Sequence, residues 1–564
     1  MNTKETIGIL GGRIYDPANG VDGETGDIWI KNGRVVDPED VNKDGVETID
    51  ARGMNVLPGG VDIHAHIAGA KVNHGRKMCP EEHAAHTRSR YGGGRSGAGF
   101  TVPTTFMTGC LYAEMGYTTA MEAACAPLVA RHTHEELEDM PFLDKGMLVT
   151  LGNNEFLFDC IASGEIGKAK DFIAWTLQAA RGYGVKVVNP GGVSNWKYER
   201  SNVSRWDGEI KGFDLTPRKV LDALIRIVDE LGLPHGIHLH GLNLGTTASA
   251  EQTLESIRSA PGRLHLTHLQ FMSYGADKKG RFRNRSEDLA EAVNANENVT
   301  FDVGQIVFGP ATTMTSDGPF QYNLGTMTGH KWFGGDEENE TGGGIVPIKY
   351  SRKNKINALQ WVTGLELFLL ARDPWRVFLT TDHPNAGPFF CYPQVIRLLM
   401  DKDYRREILE TLPPSVRKRT VLGDIEREYT LGEIVTITRA APARTLGLNR
   451  KGHLGVGADG DVALFHPDDD GARKPKCSSK IPCRRRLDFP RWVLKAGRVI
   501  VKDGSVMEAA YGDSCGTTFH VEPEYDKAIR EPLKEHFKRY YTVSYENYPV
   551  QDCYIAKGEK IPCQ

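Results

Sequence analysis

The sequence predicts an α/β fold, a (β/α)8 TIM barrel joined to a small β-sandwich domain that is built from both ends of the chain. Three observations support this prediction. Five short apolar segments each contain, or end in, a residue that can bind a metal or carry a proton. Segments of this kind alternate with amphipathic stretches through the middle of the chain, which is typical of parallel βα units. Finally, β-rich stretches of similar character occur near both ends.

The β-rich stretches contain hairpin signals. In the first stretch, residues 7–57, Asn32 and Gly33 separate two strand-like runs, and an Asn-Gly pair is a strong hairpin turn. In the second stretch, residues 460–504, two strand-like runs are again joined by a short turn, at Gly497. We therefore expect the two stretches to form one small sheet domain.

The length of the chain, 564 residues, is too great for one compact core, so at least two structural units are expected. Residues 216–231 and 286–294 are predicted helices, each beginning at a Thr or Ser cap. We predict a composite β-sandwich domain from residues 1–57 and 447–510, a barrel from residues 58–446, and a C-terminal extension from residues 511–564. This extension is expected to pack on the barrel or on a partner.

The composition indicates an ordinary globular protein, with 25% charged and 40% hydrophobic residues. The 69 basic and 73 acidic residues nearly balance, which gives no reason to expect nucleic-acid or membrane binding. The N-terminal residues contain no apolar signal segment, and no run approaches the ~18 apolar residues that cross a bilayer. A cytoplasmic location is therefore expected.

The ten cysteines form no Cys-x2-Cys pair, so the sequence offers no obvious structural-zinc or iron–sulfur framework. We expect reduced and mainly buried thiols. Cys477 and Cys483 flank a loop-like sequence, where a redox or metal role is the minor alternative.

The first of the five segments is Val61-Asp62-Ile63-His64-Ala65-His66. Because alternate residues of a strand point the same way, His64 and His66 can bind one ion together. Asp62 lies on the same face and could orient an imidazole. The plainer interpretation is a polar end to an ordinary strand.

Lys186 is the one charged residue in the apolar run Gly184-Val185-Lys186-Val187-Val188. Burial of an ammonium group without a partner is costly and lowers its pKa. A neutral amine in such a position can add carbon dioxide and then present a carboxylate that bridges two cations. The alternative is a lysine that pairs with a nearby carboxylate or extends to the barrel mouth.

Two histidines occur in each of the next two segments. His240 and His268 are predicted at the C-terminal ends of their strands, about one βα unit apart. His238 is a reserve candidate because it shares a strand face with His240, whereas His265 has the opposite parity to His268 and is expected to be structural. The turn after His240 contains Asn243, a candidate for substrate binding.

The fifth segment ends in Asp382, and His383-Pro384 then break the strand. A carboxylate at a strand end can bind a metal and transfer a proton between water and a leaving amine, although a lone aspartate is more simply a loop or helix cap. Barrel active sites lie at the C-terminal ends of the strands. The five segments in this order are much more specific than any one of them, and together they predict a two-metal hydrolase.

This order of ligand residues resembles the amidohydrolase superfamily, whose members hold one or two metals. Residues 441–463 resemble the segment by which these enzymes return to their β domain. A narrower resemblance, over nearly the whole chain, is to the amidohydrolase-type subunit of formylmethanofuran dehydrogenase and of the formyltransferase/hydrolase complex. It rests on residues 116–119, 130–139, 151–155, 186–192, 380–385 and 546–550.

The resemblance implies a centre of two zinc ions bridged by carboxylated Lys186, with Asp382 as the catalytic residue. The other implied ligands are His64, His66, His240 and His268. The implied reaction interconverts an N-formyl furfurylamine cofactor, formylmethanofuran or formylmethylofuran, with formate and the free amine. The implied partners are the other subunits of such a complex.

The basic stretch at residues 278–285 carries five positive charges. The resembled family has a substrate-contacting arginine in this part of the barrel, which makes Arg281 a second candidate for substrate binding. A basic loop there would also attract a substrate with an acidic tail, whereas the alternative is a solvated surface loop.

Two other classes of protein fit parts of the sequence. A stand-alone cyclic-amide hydrolase of the hydantoinase or dihydroorotase kind uses the same ligands but acts without partners. A non-catalytic scaffold could keep the fold, but the intact ligand positions in all five segments argue against it.

Overall fold

The computed structural model describes residues 6–91, 95–336, 340, 342–466, 490–507 and 516–564. Cys477, Cys483 and Cys515 lie outside the described residues, and so do the first five residues of the predicted C-terminal extension. Five of the described cysteines are buried free thiols, as expected: Cys79, Cys110, Cys125, Cys160 and Cys391.

The barrel consists of eight parallel strands, which are buried along nearly their whole length. They are β1 (Gly60–Ala65), β2 (Tyr117–Cys125), β3 (Asp144–Thr150), β4 (Gly184–Val188), β5 (Ile237–His240), β6 (Leu264–Leu266), β7 (Val299–Asp302) and β8 (Val377–Phe378). The ring is nearly closed, because the N–H of His66 donates to the carbonyl oxygen of His383 at 2.7 Å. The predicted barrel is therefore confirmed.

Helices connect the barrel strands and flank them. They are Ala70–Met78, Pro80–Ala85, Thr105–Glu114, Ala130–Glu138, Glu155–Ala162, Ile166–Ala180, Gly192–Glu199, Pro217–Glu230, Ser249–Ser259, Ser286–Asn294, Gly318–Thr328, Lys355–Leu370, Tyr392–Met400, Lys402–Glu410, Pro414–Arg417, Leu431–Val435, Ala441–Thr445 and Arg530–Tyr540. Thr216 caps its helix as predicted, by accepting the N–H of Lys219. The predicted Ser286 cap is wrong: Arg285 is the N-cap, and the Ser286 hydroxyl donates to Glu366 instead.

The second unit is a sheet of nine strands from both ends of the chain. Its strands are Thr6–Asp16, Val21–Lys31, Arg34–Val36, Glu47–Asp50, Asn55–Pro58, Val462–Phe465, Trp492–Lys495, Arg498–Lys502 and Ser505–Val506. The two ends meet where Val462–Phe465 pairs antiparallel with Asn55–Pro58. Asn32 and Gly33 have positive φ angles of 51° and 80°, as their hairpin turn requires. The composite β domain is confirmed, and its strands are hydrogen-bonded as one continuous sheet. The bounds of the units stay predictions.

The barrel and the β domain are joined by a buried group of paired charges. Asp144, the first residue of β3, contacts the ammonium groups of both Lys451 and Lys495. Both lysines also lie 2.8 Å from the carboxylate of Asp461, beside the composite sheet. Although burial alone would raise it, the two lysines hold the pKa of Asp144 below its usual value. Buried charges need such partners, so this group fixes the position of one unit on the other.

The remaining strands lie in smaller sheets and in the C-terminal region. They are Arg88–Tyr91 with Arg95–Gly97, Tyr274–Ala276 with Phe282–Asn284, and Gly309–Thr315 with Phe333–Asp336 and Gly342–Tyr350. Near the C-terminus, Thr518–His520 pairs in parallel with β3, and Gly558–Lys560 pairs with Thr518–His520. The ring of Trp175 stacks on Tyr545 and Tyr548 at centroid distances of 5.4 and 5.7 Å. The C-terminal region therefore packs on the barrel. None of the described helices is both long and apolar enough to span a bilayer.

Candidate metal centre

The predicted metal-site residues lie within the barrel strands or just beyond their C-terminal ends. His64 lies in β1, Lys186 in β4, and His240 is the last residue of β5. His268 and Asp382 follow β6 and β8 in the left-handed backbone region, with φ angles of 37° and 46°. Such angles are uncommon outside glycine, and at these two positions they accompany side chains that approach His64.

The first group of possible ligands consists of His64, His66 and Asp382. Oδ1 of Asp382 lies 3.0 Å from Nε2 of His64 and 3.4 Å from Nε2 of His66. One potential ligand atom from each residue lies within 4.8 Å of the other two, and all three residues are buried. The expectation that His64 and His66 face one point therefore agrees with the geometry.

The second group lies on the adjoining strands. The rings of His240 and His268 are 4.9 Å apart, and that of His268 is 5.4 Å from His64. Nζ of Lys186 lies 3.4 Å from the hydroxyl of Thr267, the residue before His268. The structure therefore brings all six predicted metal-site residues together at one end of the barrel.

Burial lowers the pKa of Lys186 to about 7, even though Asp382 and Asp302 oppose this shift. The ammonium group is therefore easily lost inside the barrel. The surroundings of Lys186 agree with the interpretation that it is a reactive amine, because it donates to a neutral hydroxyl and the residue is 2% exposed.

Three buried polar atoms of the site make no hydrogen bond among the described residues: Nε2 of His64, Nδ1 of His268 and Oδ1 of Asp382. Buried polar groups are nearly always hydrogen-bonded, so three exceptions in one place call for a ligand. Two imidazole nitrogens and a carboxylate oxygen are donors that zinc and similar divalent metals accept. The residues present therefore fit a metal centre.

The charge distribution also favours a cation. Although burial alone would raise it, the neighbouring His64 holds the pKa of Asp382 well below its usual value. Burial lowers the pKa of both His240 and His268, so these imidazoles are neutral and keep a lone pair for a metal. An ionised carboxylate together with the neutral imidazoles of His240 and His268 is a suitable site for a divalent ion.

Glu122 and Asp302 support the site, and sequence reasoning missed both. Glu122, in β2, lies 3.3 Å from Nδ1 of His66 and accepts the N–H groups of Ile67 and Ala68 at 2.7 and 2.9 Å. Asp302, the last residue of β7, lies 3.2 Å from Nδ1 of His64 and accepts the backbone N–H of His268. Carboxylates that orient metal-bound imidazoles commonly occupy such positions.

Asp317 is a third missed residue. Its carboxylate lies 3.2 Å from Nε2 of His240, and it also caps the helix Gly318–Thr328 by accepting the N–H of Phe320. It follows no apolar run, so no pattern in the sequence marks it. Asp302, in contrast, ends the run Val299-Thr300-Phe301-Asp302, which has the same signature as the five segments.

The reserve candidate His238, the expected structural residue His265 and the predicted supporting residue Asp62 have other partners. His238 contacts His64 and His235 at 3.0 Å, away from His240. His265 lies 3.2 Å from Asp302 in the barrel interior. Asp62 does not contact an imidazole as predicted. Its carboxylate accepts three other hydrogen bonds, from the backbone N–H of His64 and from the hydroxyls of Tyr112 and Tyr392.

The two predicted substrate-binding residues do not join the centre in the structure. The amide of Asn243 donates to the carbonyl oxygen of Ser204 at 2.6 Å. Arg281 is 56% exposed and pairs with Asp277 at 2.8 Å. Within the described part of the chain, neither side chain contacts a member of the metal site. Their substrate-binding roles therefore stay predictions.

A cavity of about 270 Å³ lies at the start of the helix Ala70–Met78. Its walls include Lys71, His74 and Phe333, together with Ala68 and Ser316, which are close in sequence to His66 and Asp317. The rings of His74 and Phe333 stack at 4.5 Å, and the ammonium of Lys71 donates to Ser316 at 3.2 Å. The cavity can accept a small planar group beside a positive charge.

Comparisons with known proteins agree with the fold. Residues 47–501 match the amidohydrolase family. The chain is 43% identical to protein FwdA of Methanocaldococcus jannaschii, with 97% of each chain aligned. It is 39% identical to FhcA of the formyltransferase/hydrolase complex of Methylorubrum extorquens, with 94% of each aligned. A chain of the M. extorquens FhcABCD crystal structure, solved in complex with methylofuran, superposes with a TM-score of 0.89 at 36% identity, covering 99% of this chain and 100% of that one.

The fold and the histidine–carboxylate site define a barrel hydrolase of the metal-binding kind. The chain belongs to the amidohydrolase family, in the branch that contains FwdA and FhcA. The predicted family and enzyme class are thereby confirmed.

Proposed function

We propose that the chain is the zinc-dependent amidohydrolase component that interconverts an N-formyl furfurylamine cofactor with formate and the free amine. The cofactor would be formylmethanofuran or formylmethylofuran, and the chain would act within a larger one-carbon complex. The observation that carries the proposal is the likeness, over essentially the whole chain, to one chain of a complex that was crystallised with methylofuran.

The metal-binding residues would be His64, His66, Lys186 in its carboxylated form, His240, His268 and Asp382. The three buried atoms without hydrogen bonds support this assignment, and so does the lowered pKa of Lys186. When bound, a pair of zinc ions would supply Lewis acidity, which activates water and polarises the formyl carbonyl.

Asp382 would carry the proton in both directions. Amide hydrolysis requires a base for the attacking water and an acid for the leaving nitrogen, and one carboxylate can serve in turn as both. The low pKa of Asp382 keeps it ionised, and thus able to accept a proton at the start of the hydrolytic cycle. In the reverse direction the same group would accept a proton from the attacking amine.

The neighbouring carboxylates would hold the imidazoles in place. Glu122 is itself fixed by the N–H groups of Ile67 and Ala68, so it can orient His66 with little freedom. Asp302 would do the same for His64. The cavity with Phe333 and His74 in its wall would receive the furan ring.

The proposal is tested by formate release from N-formylated furfurylamine, compared with ring opening of hydantoin or dihydroorotate. The native protein should be purified with its partners, stripped of metal with a chelator, and assayed before and after zinc is restored. We expect zinc-dependent formate release and no ring opening. Ring opening by the isolated chain would instead indicate the stand-alone cyclic-amide hydrolase, and activity that survives complete metal removal would refute the metal centre.

A further inference from the structure

Three buried imidazoles and one backbone carbonyl form a continuous chain of contacts below the metal site. The carbonyl oxygen of Thr445 lies 3.0 Å from Nδ1 of His235, Nε2 of His235 lies 3.0 Å from Nδ1 of His238, and Nε2 of His238 lies 3.0 Å from Nδ1 of His64. All three histidines are fully buried. We call these four residues the imidazole chain.

The direction of every hydrogen bond in the imidazole chain follows from its first member. A carbonyl oxygen can only accept, so Nδ1 of His235 carries the proton. Thr445 lies in the last turn of the helix Ala441–Thr445, where carbonyl groups lack partners within the helix. A neutral imidazole has one donor and one acceptor, so Nε2 of His235 accepts from Nδ1–H of His238. By the same rule, Nε2 of His238 accepts from Nδ1–H of His64.

We propose that His235 is a positioning residue for the metal centre: through His238 it keeps the proton of His64 on Nδ1 and leaves Nε2 of His64 free to bind a metal. The inference rests on the proposed role of His64 as a metal ligand. His235 itself contacts no member of the metal site among the described residues, so its effect passes through His238.

The surroundings agree with this assignment of protons. Burial lowers the pKa of His235 to about 3, so the ring is neutral at physiological pH and the hydrogen bonds cannot run in the opposite direction. Asp302, which can only accept, lies 3.2 Å from the same Nδ1 of His64 and therefore also favours a proton there. The ring of His265 stacks on His238 at 4.6 Å and limits its rotation.

Two substitutions separate this role from simple packing. His235→Leu removes both hydrogen bonds and lets His238 present either an N–H or a lone pair to His64. His235→Gln can still donate to Thr445 and accept from His238, because its amide offers one donor group and one acceptor atom. His134→Leu is the matched control: His134 is also a buried histidine in contact with a backbone carbonyl, that of Ala180 at 2.9 Å, but it lies in a helix outside the imidazole chain.

The test measures zinc retention by the full-length protein with its native partners, in competition with a chelator. We expect His235→Leu to hold zinc about 10- to 100-fold less tightly, the usual effect of losing a group that orients a ligand. His235→Gln and His134→Leu should hold it as the wild type does. Equal retention by wild type and His235→Leu, or an equal loss in the Gln variant, would overturn the inference. A wild type that binds no zinc would instead refute the proposed function.

A second measurement needs no variant and covers the case in which His235→Leu does not fold. A neutron crystal structure of the wild type locates the hydrogen on each imidazole. The inference requires hydrogen on Nδ1 of His235, His238 and His64. Hydrogen on Nε2 of His235 or His238 would overturn it.

Discussion

Nε2 of His64 and Oδ1 of Asp382 lie 3.0 Å apart in a fully buried space, and neither atom makes a hydrogen bond among the described residues. A short approach of an imidazole nitrogen and a carboxylate oxygen is favourable when a proton or a metal cation lies between them. This pair links the first barrel strand to the last functional segment, and it places the proposed proton carrier directly beside a proposed metal ligand.

Replacement of Asp382 by Asn should remove the proton carrier with little change in shape. We expect turnover to fall on the order of 100-fold or more, which is the usual effect of losing a general base. The measurements are kcat for formate release and the circular dichroism spectrum of the variant. Turnover near the wild-type value would show that another group carries the proton.

Lys186 should make assembly of the centre dependent on both pH and carbon dioxide. The pKa of Lys186 is lowered to about 7 by burial, and only the neutral amine adds carbon dioxide. Carbamate formation is therefore favoured above about pH 7 and is lost as the pH falls through that value. Added bicarbonate should increase zinc uptake by the metal-free protein at about pH 8.5. At about pH 6 it should change zinc uptake very little.

The matched control for Lys186 is Lys145, another buried lysine in a barrel strand, whose ammonium donates to the carbonyl oxygen of Met140 at 3.3 Å. Lys186→Met should lose at least one of two zinc ions and all bicarbonate dependence. Lys145→Met should keep both properties, whatever its effect on stability. A Lys186→Met protein with full metal content and activity would refute the bridge.

Gly304 leaves room for the backbone of His268. A Cβ atom added to Gly304 would lie 2.5 Å from Cβ of His268 and 3.6 Å from Cβ of Asp382, and its φ angle is +64°. Gly304→Ala should therefore push His268 out of place and weaken zinc retention. Gly329→Ala is the control, because Gly329 has a φ angle of +65° but no atom within 4 Å of the added Cβ.

Both glycine variants carry the same backbone strain, about 1–2 kcal/mol for an L-residue in the left-handed region. Overpacking adds about 1–3 kcal/mol for Gly304→Ala alone. The free energy of unfolding and the zinc affinity of the two variants are compared. If they match, Gly304 does not maintain the geometry of the site.

The basic stretch should accelerate capture of an acidic substrate if it steers the substrate toward the site. Lys278, Lys279 and Arg283 are exposed on the hairpin that follows β6, whereas Arg281 is paired with Asp277. Neutralising these three residues should lower kcat/KM at low ionic strength and flatten its dependence on salt. The control neutralises Lys534, Lys538 and Arg539 on the C-terminal helix. Identical salt slopes for the wild type and the hairpin variant would leave the stretch as a solvated surface loop.

The metal-site residues that sequence reasoning identified share one property: each terminates or interrupts an apolar run. Lys186 and His240 could be recognised because they lie in predicted barrel strands, and barrel active sites form at the C-terminal ends of those strands. His268 and Asp382 could be recognised although they lie beyond their strands, because each follows its apolar run within a few residues. Asp302 carries the same signature, but the sequence alone does not distinguish it from an ordinary strand-end carboxylate.

Other contacts could not be predicted from the sequence because they depend on long-range packing. Glu122 is the sixth residue of a nine-residue buried strand, with no pattern to mark it. The link from Thr445 through His235 to His64 joins three distant parts of the chain, and strand parity alone does not reveal it. Arg281 was predicted from the family resemblance and Asn243 from the turn after His240, but local partners hold both side chains in the structure.

The proposed function requires that the six metal-site residues hold a pair of zinc ions. Anomalous X-ray diffraction at the zinc edge, from crystals of the native protein, detects these ions and their positions. We expect two peaks roughly 3.5–4 Å apart, the usual spacing of two-metal sites, with one at His64, His66 and Asp382, the other at His240 and His268, and Lys186 between them. The absence of zinc peaks there, in protein that releases formate from the N-formyl carrier, would contradict the claim.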